Sequence, residues 1–427
     1  MRGNCHRYAP NTENSWSLLV ALNFFAIIAI LLVKQCLRFT AVSSVPLRHD
    51  TDSAPIIPSS QQKHNESQSE PTMSTTPTPT TTRPHWPSQI TSTAQLEDLL
   101  SQPTAPALAA LSRLDSDLVI LGVSGKMGPT LARMARRGLD QLGLPHKVYG
   151  VARFSQPGTQ AALDAVGVET IACDLLDRNA LAALPDSTNV IFMAGQKFGT
   201  TGNQPMTWAI NSYLPALVCE RYRDARVVAF STGNVYPLTP IAEGGSQEQD
   251  PVAPVGEYAM SCLGRERIFE YFSHTHGLRC AIMRLNYAIE LRYGVLVDVA
   301  QQVFHRRPVD VTMGAANVIW QGDANGQALA LLDHCTTPPT IRNITGPETV
   351  SIRRVAAQFG QIFGVEPILT GDEAPTALLS NAGQSQRDFG YPAVSLQQLI
   401  TWIADWVQRD GETLNKPTHF ETRDGAF

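Results

Sequence analysis

Three glycines punctuate the segment Gly122-Val-Ser-Gly125-Lys-Met-Gly128 at even spacing. A glycine at the first position permits a tight turn. One at the second lets a backbone come up against a phosphate, and one at the third lets a helix pack closely on a strand. The run before the turn, DLVILGV, is short and apolar, and the run after it, PTLARMARRGLDQL, has a helical pattern. The turn therefore sits between a strand and a helix. A helix N-terminus adds free N–H groups and a partial positive charge. Gly122, Ser124, Gly125, Lys126, Met127 and Gly128 are accordingly expected to cradle the diphosphate of a dinucleotide. A glycine turn with a purely structural role is the plain alternative.

The choice between NAD and NADP is read at the end of the second strand. A carboxylate there accepts from the ribose 2′-OH, whereas an arginine suits a 2′-phosphate. The strand HKVYGVAR ends without an acidic residue and with Arg153, so NADP is favoured over NAD. A surface arginine is the alternative. Asp174 and Leu175, after the third strand, are expected beside the adenine; for Asp174 a helix N-cap is the competing role. Ala194 and Gly195 end the fourth apolar run, NVIFMAG, which resembles the fourth strand and cofactor-contacting turn of the NAD-dependent epimerase/dehydratase family, and that resemblance places them against the cofactor.

Something must hold these residues in register. From Ser116 onward short apolar runs alternate with amphipathic helices: ETIACD, LLDRNALAAL, NVIFMAG, a helix around Trp208–Tyr222, then RVVAFST. Apolar strands separated by helices imply a parallel sheet covered on both faces. Right-handed crossovers make it doubly wound. The expected class is α/β, a doubly wound Rossmann domain with a smaller C-terminal substrate-binding subdomain.

Taken in order, these segments resemble the NAD-dependent epimerase/dehydratase family, the extended branch of the short-chain dehydrogenase/reductase superfamily. The resemblance covers about 290 residues. It implies that Thr232, in FSTGNVYP, polarises a substrate oxygen, and that Tyr258, in GEYAMSC, is the acid/base and also meets the cofactor. It places Lys197, Asn211, Asn234, Arg284 and Asn286 at the substrate, and Asp323 at the start of a later helix. The family's lysine belongs four residues after Tyr258, where this chain has Cys262. That lysine lowers the tyrosine pKa and bonds the nicotinamide ribose. An unassisted tyrosine titrates near about 10. Arg265, at i+7 from Tyr258, Lys197 and Arg284 are the candidate substitutes. The resemblance implies hydride transfer on a sugar, sugar acid or nucleotide-sugar, as oxidoreductase, epimerase or dehydratase. The missing lysine motivates an alternative, a dinucleotide-binding sensor or scaffold without turnover.

The rest of the chain sets bounds. Its 427 residues carry a net charge of −5 and 17% charged residues, so no basic nucleic-acid surface is expected. Seven cysteines stand singly, without CxxC spacing, which argues against a disulfide framework or a metal site. His274 and His276 read as helix C-terminal residues rather than ligands. Cys262 reads as inert core rather than a nucleophile, and Trp402 and Trp406 as core packing. Residues 1–39 hold an uncharged run, 15–33, near the lower length for a membrane span. An anchor, a start further downstream at Met73, and a secretory signal are the three readings of it. Residues 40–92 are rich in Ser, Thr and Pro and read as a disordered linker. The Rossmann domain is expected over 93–285, the substrate subdomain over 286–410 and a tail over 411–427. The folded part is expected in the cytosol, where its cofactor is abundant, with a homodimer as the expected assembly.

Overall fold

Seven parallel strands form the central sheet of the computed structural model, which describes residues 86–197 and 202–425. In chain order they are β1 (Leu118–Leu121), β2 (Val148–Ala152), β3 (Glu169–Ala172), β4 (Asn189–Phe192), β5 (Arg226–Thr232), β6 (Arg279–Leu285) and β7 (Thr340–Ile344). Across the sheet they run β7-β6-β5-β4-β1-β2-β3. The chain reverses direction between β1 and β4, the crevice where such sheets bind ligands. β1 and β4 are buried along their whole length, because helices cover both faces. This is the doubly wound sheet that the alternating pattern predicts.

Nine helices matter for the site: α1 (Thr93–Leu100), α2 (Ala105–Leu111), α3 (Gly128–Leu142), α4 (Leu214–Arg221), α5 (Gly256–His276), α6 (Val295–Phe304), α7 (Gln321–Ala330), α8 (Ile352–Phe363) and α9 (Leu396–Gln408). Leu131 and Leu139 of α3 and Leu329, next to Ala328 of α7, cover one face of the sheet. Leu217 and Val218 of α4 and Phe269 and Phe272 of α5 cover the other. A third core gathers Ile90, Leu96 and Leu100 with Val299, Phe359, Trp402 and Trp406. Trp402 and Trp406 are core residues, as expected.

The domain boundaries differ from the expected ones. β7 lies within 286–410 yet forms the edge of the central sheet, in parallel register with β6. α7 also returns to it: Gln321 and Asn325 donate to Thr130 Oγ1 of α3. Conversely α1, placed in the Rossmann part, packs in the core of the C-terminal subdomain. The expected linker ends earlier than residue 92. Trp402 Nε1 donates to the Pro87 carbonyl at 2.9 Å, and Trp86 meets Trp402 edge-on. The subdomain is thus assembled from both ends of the folded chain, which local periodicity cannot reveal. The apolar run 15–33 lies outside the described residues. Among the described residues no helix is long and apolar enough to cross a membrane.

α5 is the element that carries the expected acid/base. Ala259, Cys262, Arg265, Glu266, Phe269, Phe272 and Ser273 form its buried stripe, at i, i+3, i+4 and i+7 spacing. Gly277, at φ 74°, ends it in the left-handed conformation, and His274 and His276 occupy the last turn. Two charged residues inside an otherwise apolar stripe demand partners.

Candidate active site

The glycine turn has the geometry its spacing predicts. Gly122 has φ 92°, and a Cβ there would lie 2.6 Å from the Ala194 backbone after β4. A Cβ on Gly128 would lie 2.1 Å from the Val123 carbonyl oxygen. Gly125 is different: a Cβ there meets nothing nearer than the Gly122 carbonyl oxygen at 3.5 Å. The first and third glycines are thus required by the protein itself, and the second faces open space. That space is a cavity of about 900 Å³. It reaches from Ser124, Gly125, Lys126 and Met127 to Gln156 and Thr159 after β2, and to Gly195 and Lys197 after β4. The N-terminus of α3, with its partial positive charge, faces this wall and carries no side-chain cap; Gly128 N–H donates to the Gly125 carbonyl, and Pro129 has no N–H.

Other expected cofactor residues fall elsewhere. Arg153 is exposed and is not on the cavity wall. Asp174, Leu175 and Ala194 also stand outside that wall. Asp174 Oδ1 accepts from Leu176 N, an Asx turn, while the helix N-cap role belongs to Asp177, which accepts from Asn179 and Ala180.

Thr232 and Tyr258 are brought together. β5 delivers Thr232 at its last residue, and the first turn of α5 delivers Tyr258. Their side chains lie within reach of one another, and Cys262 is also close to the phenol. Thr232 Oγ1 further donates to Asn234 Oδ1 at 2.9 Å. Burial drives the Tyr258 phenol well above the usual tyrosine range. Cys262 adds to this, and the Arg265 guanidinium and the Thr232 hydroxyl oppose it. Burial likewise raises the Cys262 thiol, which packs against Val235 and Tyr236. It is therefore a protonated core residue, as its place on a helix interior predicts.

Arg265 is buried, 5% exposed, and lies where a cation can act on Tyr258. Its guanidinium donates to the Phe230 carbonyl at 2.6 Å and to Asn211 Oδ1 at 2.7 Å. Glycine at 195 leaves room for it: a Cβ there would lie 2.7 Å from the guanidinium, which would have to shift. Asn211 sits in a π-helical segment, Ala209–Tyr213, a distortion often met at functional sites. Its amide is fully used: Oδ1 also accepts from Gln196 N, and Nδ2 donates to the Gln196 carbonyl and Ser261 Oγ. Asn211 therefore positions the turn after β4 rather than facing a substrate.

Arg284 has a different role from the one expected. It makes a buried ion pair with Glu266 at 2.7 Å and donates to Tyr236 Oη, with its side chain 3% exposed. Ser231 Oγ donates to the same carboxylate. With these bonds and one to the Glu248 carbonyl, its side chain is committed inside the protein and does not line the cavity. Asn286 is buried and donates to the Leu378 carbonyl, which ties β6 to the subdomain. Lys197 does reach the cavity. Burial lowers it to about 8, with Asp298 opposing, and its Nζ donates to the Thr418 carbonyl at 3.5 Å. No metal-binding group of His, Cys, Asp or Glu occurs among the described residues.

Among the wall residues with no counterpart in the sequence reading are Arg292, Tyr293, Leu414 and Lys416. They come from the stretch before α6 and from the last residues of the chain. Nothing in spacing or composition signals a partner so far away in sequence.

Residues 118–289 match the model of the NAD dependent epimerase/dehydratase family. No curated protein matches the chain. Among solved structures it is similar to UDP-glucuronic acid 4-epimerase from Bacillus cereus in complex with UDP-glucuronic acid and NAD. The identity is 16%, the match covers 69% of this chain and 99% of that one, and the TM-score is 0.57. It is also similar to the dTDP-glucose 4,6-dehydratase DesIV from Streptomyces venezuelae with NAD and TYD bound. There the identity is 18%, the coverage 69% and 97%, and the TM-score 0.58. UDP-glucose 4-epimerase from Thermotoga maritima with UDP-glucose gives 15%, 69% and 99%, and 0.56. At these identities the likeness is one of fold.

Proposed function

We propose that this chain, which matches the NAD dependent epimerase/dehydratase family over residues 118–289, is an NAD(P)-dependent enzyme acting on a carbonyl or hydroxyl carbon of a sugar-type substrate. One observation carries the reading: Thr232 and the Arg265 guanidinium both lie close enough to the Tyr258 phenol to favour its ionised form. The glycine turn would hold the diphosphate, with Gly125 facing it and the α3 N-terminus supplying its partial positive charge. The bound dinucleotide supplies the hydride chemistry. Thr232 and Tyr258 both address a substrate oxygen near the end of β5. Tyr258 is protonated at neutral pH, because burial raises it. It is therefore set to give a proton to that oxygen as a carbonyl is reduced. In the oxidising direction it must first lose the proton, and Arg265 lowers that cost by its charge. Arg265 is thus the proposed stand-in for the missing lysine.

NADP is favoured over NAD by the lack of a carboxylate at the end of β2, where Arg153 stands. A neighbouring fold member with UDP-glucuronic acid and NAD bound supports a carbohydrate-type substrate. The test is reduction of keto-sugars and lactones by the full chain with NADPH and with NADH. Tyr258→Phe abolishes turnover and leaves cofactor affinity within about threefold, since the phenol oxygen acts on substrate. A binding sensor without turnover predicts instead that no substrate in the panel is consumed and that Tyr258→Phe changes nothing.

A further inference from the structure

Thr232, at the carboxyl end of β5, is followed by Gly233. Gly233 does not adopt a positive φ, so what it supplies is space. A Cβ there would lie 2.9 Å from Ser380 Oγ and 3.2 Å from the Asn286 side chain. Asn286 follows β6, and Ser380 belongs to the C-terminal subdomain. Two side chains far apart in sequence thus close on the residue next to Thr232.

Ser380 is 2% exposed, and its hydroxyl meets no hydrogen-bonding partner among the described residues. Its backbone, by contrast, is held on several sides. Ser380 N–H donates to Asn317 Oδ1 at 2.9 Å, and Asn317 Nδ2 donates to the Glu348 carbonyl at 3.0 Å. The neighbouring residues are tied to Ser246: its N–H donates to the Leu379 carbonyl, and its carbonyl accepts from Asn381 N. Asn343 Nδ2 donates to the carbonyls of Ser246 and Asn381. The fold therefore sets where this hydroxyl stands. A buried hydroxyl without a partner gives up its bonds to water and regains none, a penalty that alanine does not carry. Its place gives the serine a use, because it lies beside the threonine that addresses the substrate oxygen in the proposed reaction.

We propose that Ser380 is a substrate-binding residue, whose hydroxyl bonds a second oxygen of the sugar on the subdomain side of the oxygen that Thr232 and Tyr258 address. This rests on the reading of the chain as a sugar-type NAD(P) enzyme. A hydroxyl both donates and accepts, so a sugar hydroxyl or a carbonyl satisfies it. A substrate lacking that oxygen leaves Ser380 unpaired and is disfavoured. Ser380 lies outside residues 118–289, which match the family model, so this contact is a contribution of the subdomain to recognition.

Ser380→Ala is compared with the wild type, each as the full chain. The melting temperature is measured first without ligand, then with NADPH or NADH. The dinucleotide-saturated proteins are next titrated with D-fructose, D-glucono-1,5-lactone and UDP-glucose, and the saturable rise in melting temperature is followed. The variant is expected to melt at or above the wild-type temperature and to bind the dinucleotide equally well. For a sugar that stabilises the wild type, it requires roughly three- to tenfold more, the worth of a neutral hydrogen bond. Three results overturn the proposal. One is a variant that melts below the wild type, which assigns the hydroxyl to holding the fold. Another is a sugar response equal in the two proteins within about twofold. The third is no saturable response to any of the three sugars by a wild type that binds the dinucleotide. If the wild type binds neither dinucleotide, the proposed function itself fails, and that is seen before any sugar is added.

Discussion

At the residue scale the account turns on Tyr258 and the cation that serves it. Arg265→Lys keeps a charge in the same pocket and Arg265→Met does not. Arg265→Met is expected to lower kcat for alcohol oxidation at least tenfold and to push its pH profile further up, while Arg265→Lys retains part of both. Reduction should be affected less, because the phenol already holds its proton. In the wild type, oxidation rises with pH and does not level off below about pH 10, since burial raises Tyr258 above its ordinary value. A plateau near neutrality would contradict the reading. The pairing of Thr232 with Tyr258 was legible in the sequence because both lie in segments with a recognisable order. The employment of Arg284 was not. Its bond to Glu266 joins β6 to α5 across 18 residues, and a lone arginine after a strand looks the same whether it faces substrate or a buried carboxylate.

At the element scale, the glycine turn separates folding from binding. Gly128→Ala drives a Cβ into the Val123 carbonyl oxygen, and Gly122→Ala adds a strained φ; each is expected to cost more than about 2 kcal/mol in urea unfolding. Gly125→Ala has room for its methyl group, so stability is kept within about 0.5 kcal/mol, and the loss appears in cofactor affinity. The first turn of α7 offers a second test. Asp323 is buried and raised to about 6 by desolvation, although the Val394 and Ala393 N–H groups oppose this. A raised carboxyl favours the fold only when protonated. Its contribution is complete below about pH 3.9, and it is lost as pH rises through 6. Asp323→Asn is therefore expected to gain melting temperature over the wild type above pH 6 and to lose that advantage below pH 4. An advantage unchanged with pH would contradict the cause given. The strands and α3 were readable because their periodicity is local. The π-helical turn at Asn211 was not, because it is imposed by bonds to Gln196, Ser261 and Arg265 from other elements.

At the scale of the whole molecule, a doubly wound sheet presents its crevice to a subdomain built from both ends of the folded chain. The buried Arg284–Glu266 pair joins β6 to α5 beside that crevice, and Glu266→Gln leaves a buried guanidinium without its counter-charge. A loss of about 3–5 kcal/mol in unfolding free energy is expected, against a small change if the pair were exposed. The order of strands and the place of the crevice could be read from alternation and handedness. The return of β7 to the sheet, the docking of α1 on the far core and the placing of Leu414 and Lys416 on the cavity wall could not, since each is a tertiary contact between segments far apart in sequence. The claim on which the rest depends is that the cavity at Gly125 holds a dinucleotide. Calorimetric titration of the wild type and Gly125→Ala with NADPH and NADH tests it most directly. The account predicts saturable binding of at least one of them by the wild type, weakened at least tenfold in Gly125→Ala at unchanged melting temperature. Binding of neither by a folded wild-type chain, or equal affinity in the two proteins, would contradict it.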